Sequence, residues 1–158
     1  MALVLLLLGG SGCAAPSLTV TVPLIETLQI ADPATPRREI DRTLNQRADA
    51  FAARHPDARA WKGQGLSMQP LIPPRRLDRY RKIPYPELKA GQVVLFTGRQ
   101  GQLVAHALVK FTRQGWLTTG VNPRSKIDPT RVTTINYIGV VTAAFTASLP
   151  PRSSSLAP

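Results

Sequence analysis

Cysteine is nearly absent: the chain of 158 residues holds one, Cys13. A lone thiol closes no disulfide within the chain. Histidine is almost as scarce, with His55 and His106 alone, and no Cys/His cluster offers the ligand set of a structural zinc site. No metal or other cofactor is expected. Aromatic residues make up 6% of the chain, which leaves little material for stacking on nucleic-acid bases. Acidic residues number 9 against 20 Lys+Arg, for a net charge of +11. Such a bias attracts polyanions, nucleic acid or an anionic membrane surface, and says nothing of fold. A long hydrophobic run is missing too. The apolar stretch at residues 2 to 8 falls well short of the roughly 20 residues that cross a bilayer.

What is present belongs to a folded protein of one domain with some tail: 43% hydrophobic, 18% charged, and 15 clustered prolines. The opening "MALVLLLLGGSGCAAP" reads as the export signal of a bacterial lipoprotein, an apolar run followed by small residues and a cysteine that receives lipid after cleavage. It departs from that pattern in having no Lys or Arg ahead of the run and Gly10 where leucine is usual. A plain secretory signal and a buried apolar strand are the other readings. The expectation for residues 1–15 is a signal, export to the bacterial cell envelope, and membrane anchorage through a lipid on Cys13.

Residues 16–60 read as a linker or edge strand ("LTVTV") followed by a helix. Ile40, Leu44, Ala48, Phe51 and Ala52 recur at helical spacing between Pro36 and Pro56, which places the helix over about residues 37–54. His55 at its C-terminal end suits the helix dipole. From Trp61 the pattern changes to short runs of β-formers: "GQVVLF" (91–96), "GQLVAHALVKF" (101–111), "QGWLTTG" (114–120) and "NYIGVVTAAF" (136–145). The fold class expected is mainly β, an antiparallel domain over residues 61–148 preceded by one helix. The tail at 149–158 carries no apolar pattern and is expected to be disordered.

The chemistry centres on "GQGLSMQPLIPP", residues 63–74, where Gly63 and Gly65 precede Ser67. Glycines allow a tight turn; the serine they frame is either a held nucleophile or a hydroxyl in an ordinary loop. A serine nucleophile needs a base, itself oriented by a third group. His106 lies mid-strand, and alternation puts His106, Leu108 and Lys110 on one face. A histidine so placed is either structural or a base. The loop "TTGVNPRSKIDPT" (118–130) carries Asp128, with Ser125 close by, and an acid there is either solvated or functional. In "RRLDRYRKIPYPELK" (75–89) five of the first eight residues are basic. This segment reads as a solvated loop or as a contact with anionic lipid headgroups, with Tyr80 and Tyr85 at the interface.

Taken in order, these pieces resemble the signal peptidase family. "GQGLSMQP" is similar to its Ser-Met-x-Pro nucleophile motif, and "AGQVVLF" to its Gly-Asp-hydrophobic strand. "VAHALVK" falls where the family places its base, lysine in most bacterial members and histidine in the endoplasmic-reticulum and archaeal type. "TTGVNPRSKIDPTRV" resembles the Gly-Asp-Asn loop with its following serine and aspartate, and "NYIGVV" the closing strand. The likeness spans about residues 62 to 145. Gln92 and Val121 stand where the pattern has aspartate, and Ala107 where it has the arginine after the base.

The resemblance implies a serine endopeptidase that cleaves exported polypeptides near a membrane. Ser67 would be the nucleophile, His106 the base and Asp128 the group that orients it. The Ser67 amide and the Gly63–Gly65 turn would meet the oxyanion. Lys110 is the alternative base. It lies about 13 Å beyond His106 along an extended strand, so both cannot reach one hydroxyl. Two other readings stand: a catalytically inactive envelope lipoprotein of the same fold, and a nucleic-acid-binding protein, since LexA-type repressors share that fold. The latter requires a helix-turn-helix ahead of Ser67, and the pattern there holds one helix, so no nucleic-acid partner is expected.

Overall fold

The structure, a computed structural model, describes residues 2–5, 18–63, 65–73 and 76–148. Cys13, most of the leader and the tail at 149–158 lie outside the described residues. The protein is mainly β, with one long helix ahead of most of the strands. β1 (Ala2–Leu5) and β2 (Leu18–Thr21) pair antiparallel as a separate ribbon. β3 (Leu24–Gln29), β4 (Arg59–Gly63), β5 (Arg76–Arg81), β6 (Val93–Thr97), β7 (Leu103–Thr112), β8 (Gly115–Thr119) and β9 (Tyr137–Ser148) form a seven-stranded sheet. Its order is β4-β5-β9-β6-β7-β8, and its neighbours along that path are antiparallel. β3 runs parallel to the second half of β9.

α1 (Arg37–Arg54) follows Pro36, whose fixed φ suits a helix entry, and carries Glu39 in its first turn and Arg54 in its last, both complementary to the dipole. It buries Leu44, Ala48 and Phe51 on the sheet, against Leu77, Ala143 and Phe145. Burying a Leu or Phe side chain stabilises by about 1.5–3 kcal/mol, so this stripe fixes the helix on β5 and β9. The segment read as linker or edge strand supplies β3 at the edge of β9, and also Val20 and Val22 to the core.

Two expectations are corrected by the sheet. The basic segment after Ser67 is no solvated loop at its centre: residues 76–81 are β5, held between β4 and β9. Leu77, Asp78 and Arg79 in it are buried. Tyr80 packs against the core beneath Ser67, while Tyr85 packs against a second core cluster and donates its hydroxyl to the Val132 carbonyl. Cross-strand pairing and tyrosine burial outweigh the charge of the arginines, whose long stems leave their heads free to reach solvent or partners. The second correction concerns β7. The pairing register with β8 shifts between Leu108 and Lys110. Phe111 packs on Trp116 and Tyr85, on the side of Leu108. A bulge inserts one residue and breaks the alternation, so Phe111, not Lys110, continues the face of His106 and Leu108.

Candidate active site

The loop that follows β4 is anchored by its apolar residues. Met68, Leu71 and Ile72 are at most 3% exposed and sit in one cluster with Val93, Leu95, Ala105, Ala107 and Val121. The Ile72 amide donates to the Met68 carbonyl at 2.8 Å, and the Gln69 amide to Leu66 at 3.0 Å. Three buried side chains in five residues hold the turn, and Ser67, next to Met68, is left facing a cavity.

That cavity, of about 500 Å³, is lined by Trp61, Lys62, Gly65, Ser67 and the run from Leu103 to His106. It opens between two strand edges. β4 pairs with β5 alone, and β8 leaves β7 at Ala107, so on that side Leu103–His106 has no strand partner among the described residues. Backbone groups along such an edge are unpaired and can receive an extended peptide.

His106 and Asp128 meet at the wall of this cavity. His106 Nδ1 and Asp128 Oδ2 are 2.7 Å apart, with side chains 13% and 18% exposed. The local chain explains the meeting. Ile127 bridges to Thr119, and the Asp128 amide donates to the Thr118 carbonyl at 2.8 Å. The loop therefore returns to β8 like an extra short strand, beside the β7 residues paired with it. Thr118 Oγ1 donates to the same Asp128 Oδ2 at 2.6 Å. Arg131 donates to the Asp128 backbone carbonyl and leaves the carboxylate to His106 and Thr118. A carboxylate on Nδ1 fixes the tautomer with the proton there, so Nε2 is the acceptor.

A second seam joins the loop to the serine. The Asn122 amide donates to the Ser67 carbonyl at 2.9 Å. Gly120 lies so close that a Cβ there would stand 2.5 Å from the Ser67 carbonyl oxygen, 2.9 Å from Ser67 Cβ and 2.5 Å from Ser125 Oγ. The Ser67 amide has no partner among the described residues and is available to an oxyanion.

Of the residues expected at the site, Ser67, Gly65, His106 and Asp128 gather here. Gly63 does not: it is a β4 residue paired with Arg76, so the turn rests on Gly65. Lys110, the alternative base, is exposed and takes no part in the cavity. No hydrogen bond joins Ser67 Oγ to His106. Sequence reasoning missed Thr118, Lys62 and Trp61. Thr118 shares its type with its neighbour and carries no distinguishing mark, while the two β4 residues line the cavity through the place of β4 in the sheet, which their local sequence does not show. Gly120 and Asn122 were visible as turn residues, without their role against Ser67. No family model, curated protein or solved structure matches the chain.

Proposed function

We propose that the protein is a serine endopeptidase of the signal-peptidase type, acting on exported polypeptides. One observation carries the reading: a histidine held by a carboxylate at 2.7 Å lines the same cavity as a serine in a glycine-containing turn. The substrate lies extended between the edges of β4 and β7. His106 Nε2 takes the Ser67 hydroxyl proton as Oγ bonds to the peptide carbonyl carbon. The resulting oxyanion accepts from the Ser67 amide, and Asp128 stabilises the imidazolium. The tetrahedral intermediate collapses with His106 returning the proton to the leaving amine, and a water repeats the cycle to release the acyl group. The net charge of +11 favours work beside an anionic membrane surface, with anchorage through Cys13 as the sequence suggests.

The lack of a hydrogen bond between Ser67 Oγ and His106 supports a second reading, a binding protein that keeps the fold without the activity. Apo catalytic geometry is often loose and tightens on substrate, which is why the first reading is preferred. Peptides with small residues at the cleavage site separate the two. Cleavage that Ser67→Ala abolishes is expected; cleavage of equal rate in that variant, or no cleavage together with no labelling of Ser67 by an acylating probe, overturns the proposal.

A further inference from the structure

A second cavity, of about 310 Å³, lies on the helix side of β4, lined by Asn45 and Asp49 of α1, Ala60, Trp61 and Lys62 of β4, and Leu77 and Arg79 of β5. Trp61 and Lys62 line both this cavity and the one that holds Ser67. Arg79 is the unusual member. Its side chain is only 9% exposed, and its one ion pair among the described residues is with Asp49 through Nη2 at 2.6 Å. Asp49 is 74% exposed, and Arg79 Nε is buried with no partner.

Burying a guanidinium is costly unless carboxylates and hydrogen bonds satisfy it. Here one solvent-competed carboxylate does so in part. Lys62 also lines the cavity, so its lining holds two basic residues, one carboxylate and the Asn45 amide. Guanidinium recognises carboxylates in a planar, two-point manner that suits an incoming acid.

We propose that this cavity is a subsite for a carboxylate of the bound polypeptide, held by Arg79 and Lys62 at a distance from the scissile bond. The inference rests on the peptidase reading for its occupant: a chain extended past Ser67 between β4 and β7 runs over Trp61 and Lys62 and reaches Arg79. Such a subsite would select substrates with an acidic residue, or a chain end, on that side of the cleavage point.

The test uses the full chain carrying Ser67→Ala, with fluorescent peptides of small residues that contain one Asp or one Asn, each made as C-terminal acid and amide. The Asp peptide is expected to bind about tenfold tighter or more than the Asn peptide, the scale of a charge-assisted pair. The gap should close in Arg79→Gln and widen in Asp49→Asn, which frees the guanidinium. Asp49 is exposed, so the second variant decides the matter if Arg79→Gln fails to fold. An Asp/Asn gap that persists with amidated peptides assigns the side chain as the source of the carboxylate; tighter binding of the acid than of the amide forms, the same for Asp and Asn peptides, assigns the chain end. Equal binding of all four peptides overturns the subsite, as does a gap that Asp49→Asn leaves unchanged. Binding of vesicles with anionic lipid that is lost in Arg79→Gln, with no gap between peptides, overturns it in favour of a headgroup. Wild-type protein that cleaves Asp and Asn peptides alike, with equal binding, defeats this inference and leaves the peptidase reading intact. A binding gap without any cleavage does the reverse.

Discussion

The end of α1 and the mouth of β7 each place a histidine near an aspartate, and they resolve the pair in opposite ways. At the end of α1, His55 stacks on Phe51 with ring centroids 4.3 Å apart. The nearby Asp57 carboxylate is taken by Arg81, at 2.5 Å. At β7, His106 itself takes the carboxylate of Asp128, and the arginine beside it, Arg131, bonds the Asp128 backbone instead. What separates a structural histidine from a candidate base here is which partner claims the acid. An arginine on the carboxylate leaves an imidazole with only its ring to offer, whereas an acid held by a neutral hydroxyl, Thr118, remains free to orient the ring and stabilise its cation.

The widest break in this comparison is the replacement of each histidine. His106→Ala is expected to lower kcat for peptide cleavage by about 10⁴-fold, the upper range for loss of a general base. His55→Ala is expected to leave kcat within a factor of two. Steady-state kinetics on one small-residue peptide decide it, and similar losses in both variants would end the distinction between the two sites.

The next lies in the acid. Asp128→Asn keeps the shape but no longer holds the tautomer or stabilises the imidazolium, and a fall in kcat of up to about 10⁴-fold is expected, with KM little changed. If KM alone moves, Asp128 shapes the binding cleft and does not serve the base.

A smaller effect is expected where the two loops touch. Gly120→Ala would push a methyl into the Ser67 backbone and the Ser125 hydroxyl, and overpacking of that kind costs about 1–3 kcal/mol. Thermal unfolding should show a lower Tm, together with weaker labelling of Ser67 by an acylating probe. A normal Tm with lost labelling would place the whole effect on the orientation of the serine.

Much of this molecule was legible in its sequence because the signals are local. The helix at 37–54 follows from apolar spacing between two prolines, and the strands at β6 to β9 follow from runs of β-formers set off by turn residues. Ser67, His106 and Asp128 could be chosen as a set through their order in the chain. The losses are non-local. Nothing in "RRLDRYR" announces a central strand, since its place between β4 and β9 is decided by partners far along the chain. The bulge at Val109 breaks a perfect alternation and moves Lys110 away from the face of His106. Val121 and Ala107, where the resembled pattern carries charge, are buried in the same apolar cluster as Met68. Two departures that seemed separate in sequence are thus neighbours in one core. Charge lost from one position leaves no orphan at the other.

The smallest effect belongs to the pair at the end of α1. The hydrogen bond from Arg81, aided by its positive charge and by that of His55, holds the Asp57 carboxyl below its ordinary value, against a weaker opposing effect of desolvation. A carboxyl whose folded pKa is depressed contributes stability above its unfolded value, 3.8. That contribution is lost as pH falls through the lower folded value. Its window therefore lies in acid, below about pH 4, and the neutral range is untouched. Asp57 and Arg81 are about half exposed, with side chains at 51% and 44%, so water and salt screen the pair. Asp57→Asn should shift the acid-unfolding midpoint slightly upward at low ionic strength and not at all in high salt, while cleavage at neutral pH stays unchanged. A fall in neutral-pH activity in this variant would mean that the end of α1 is coupled to the Ser67 cavity after all. The two histidine regions would then be parts of one device, not contrasting uses of the same side chain.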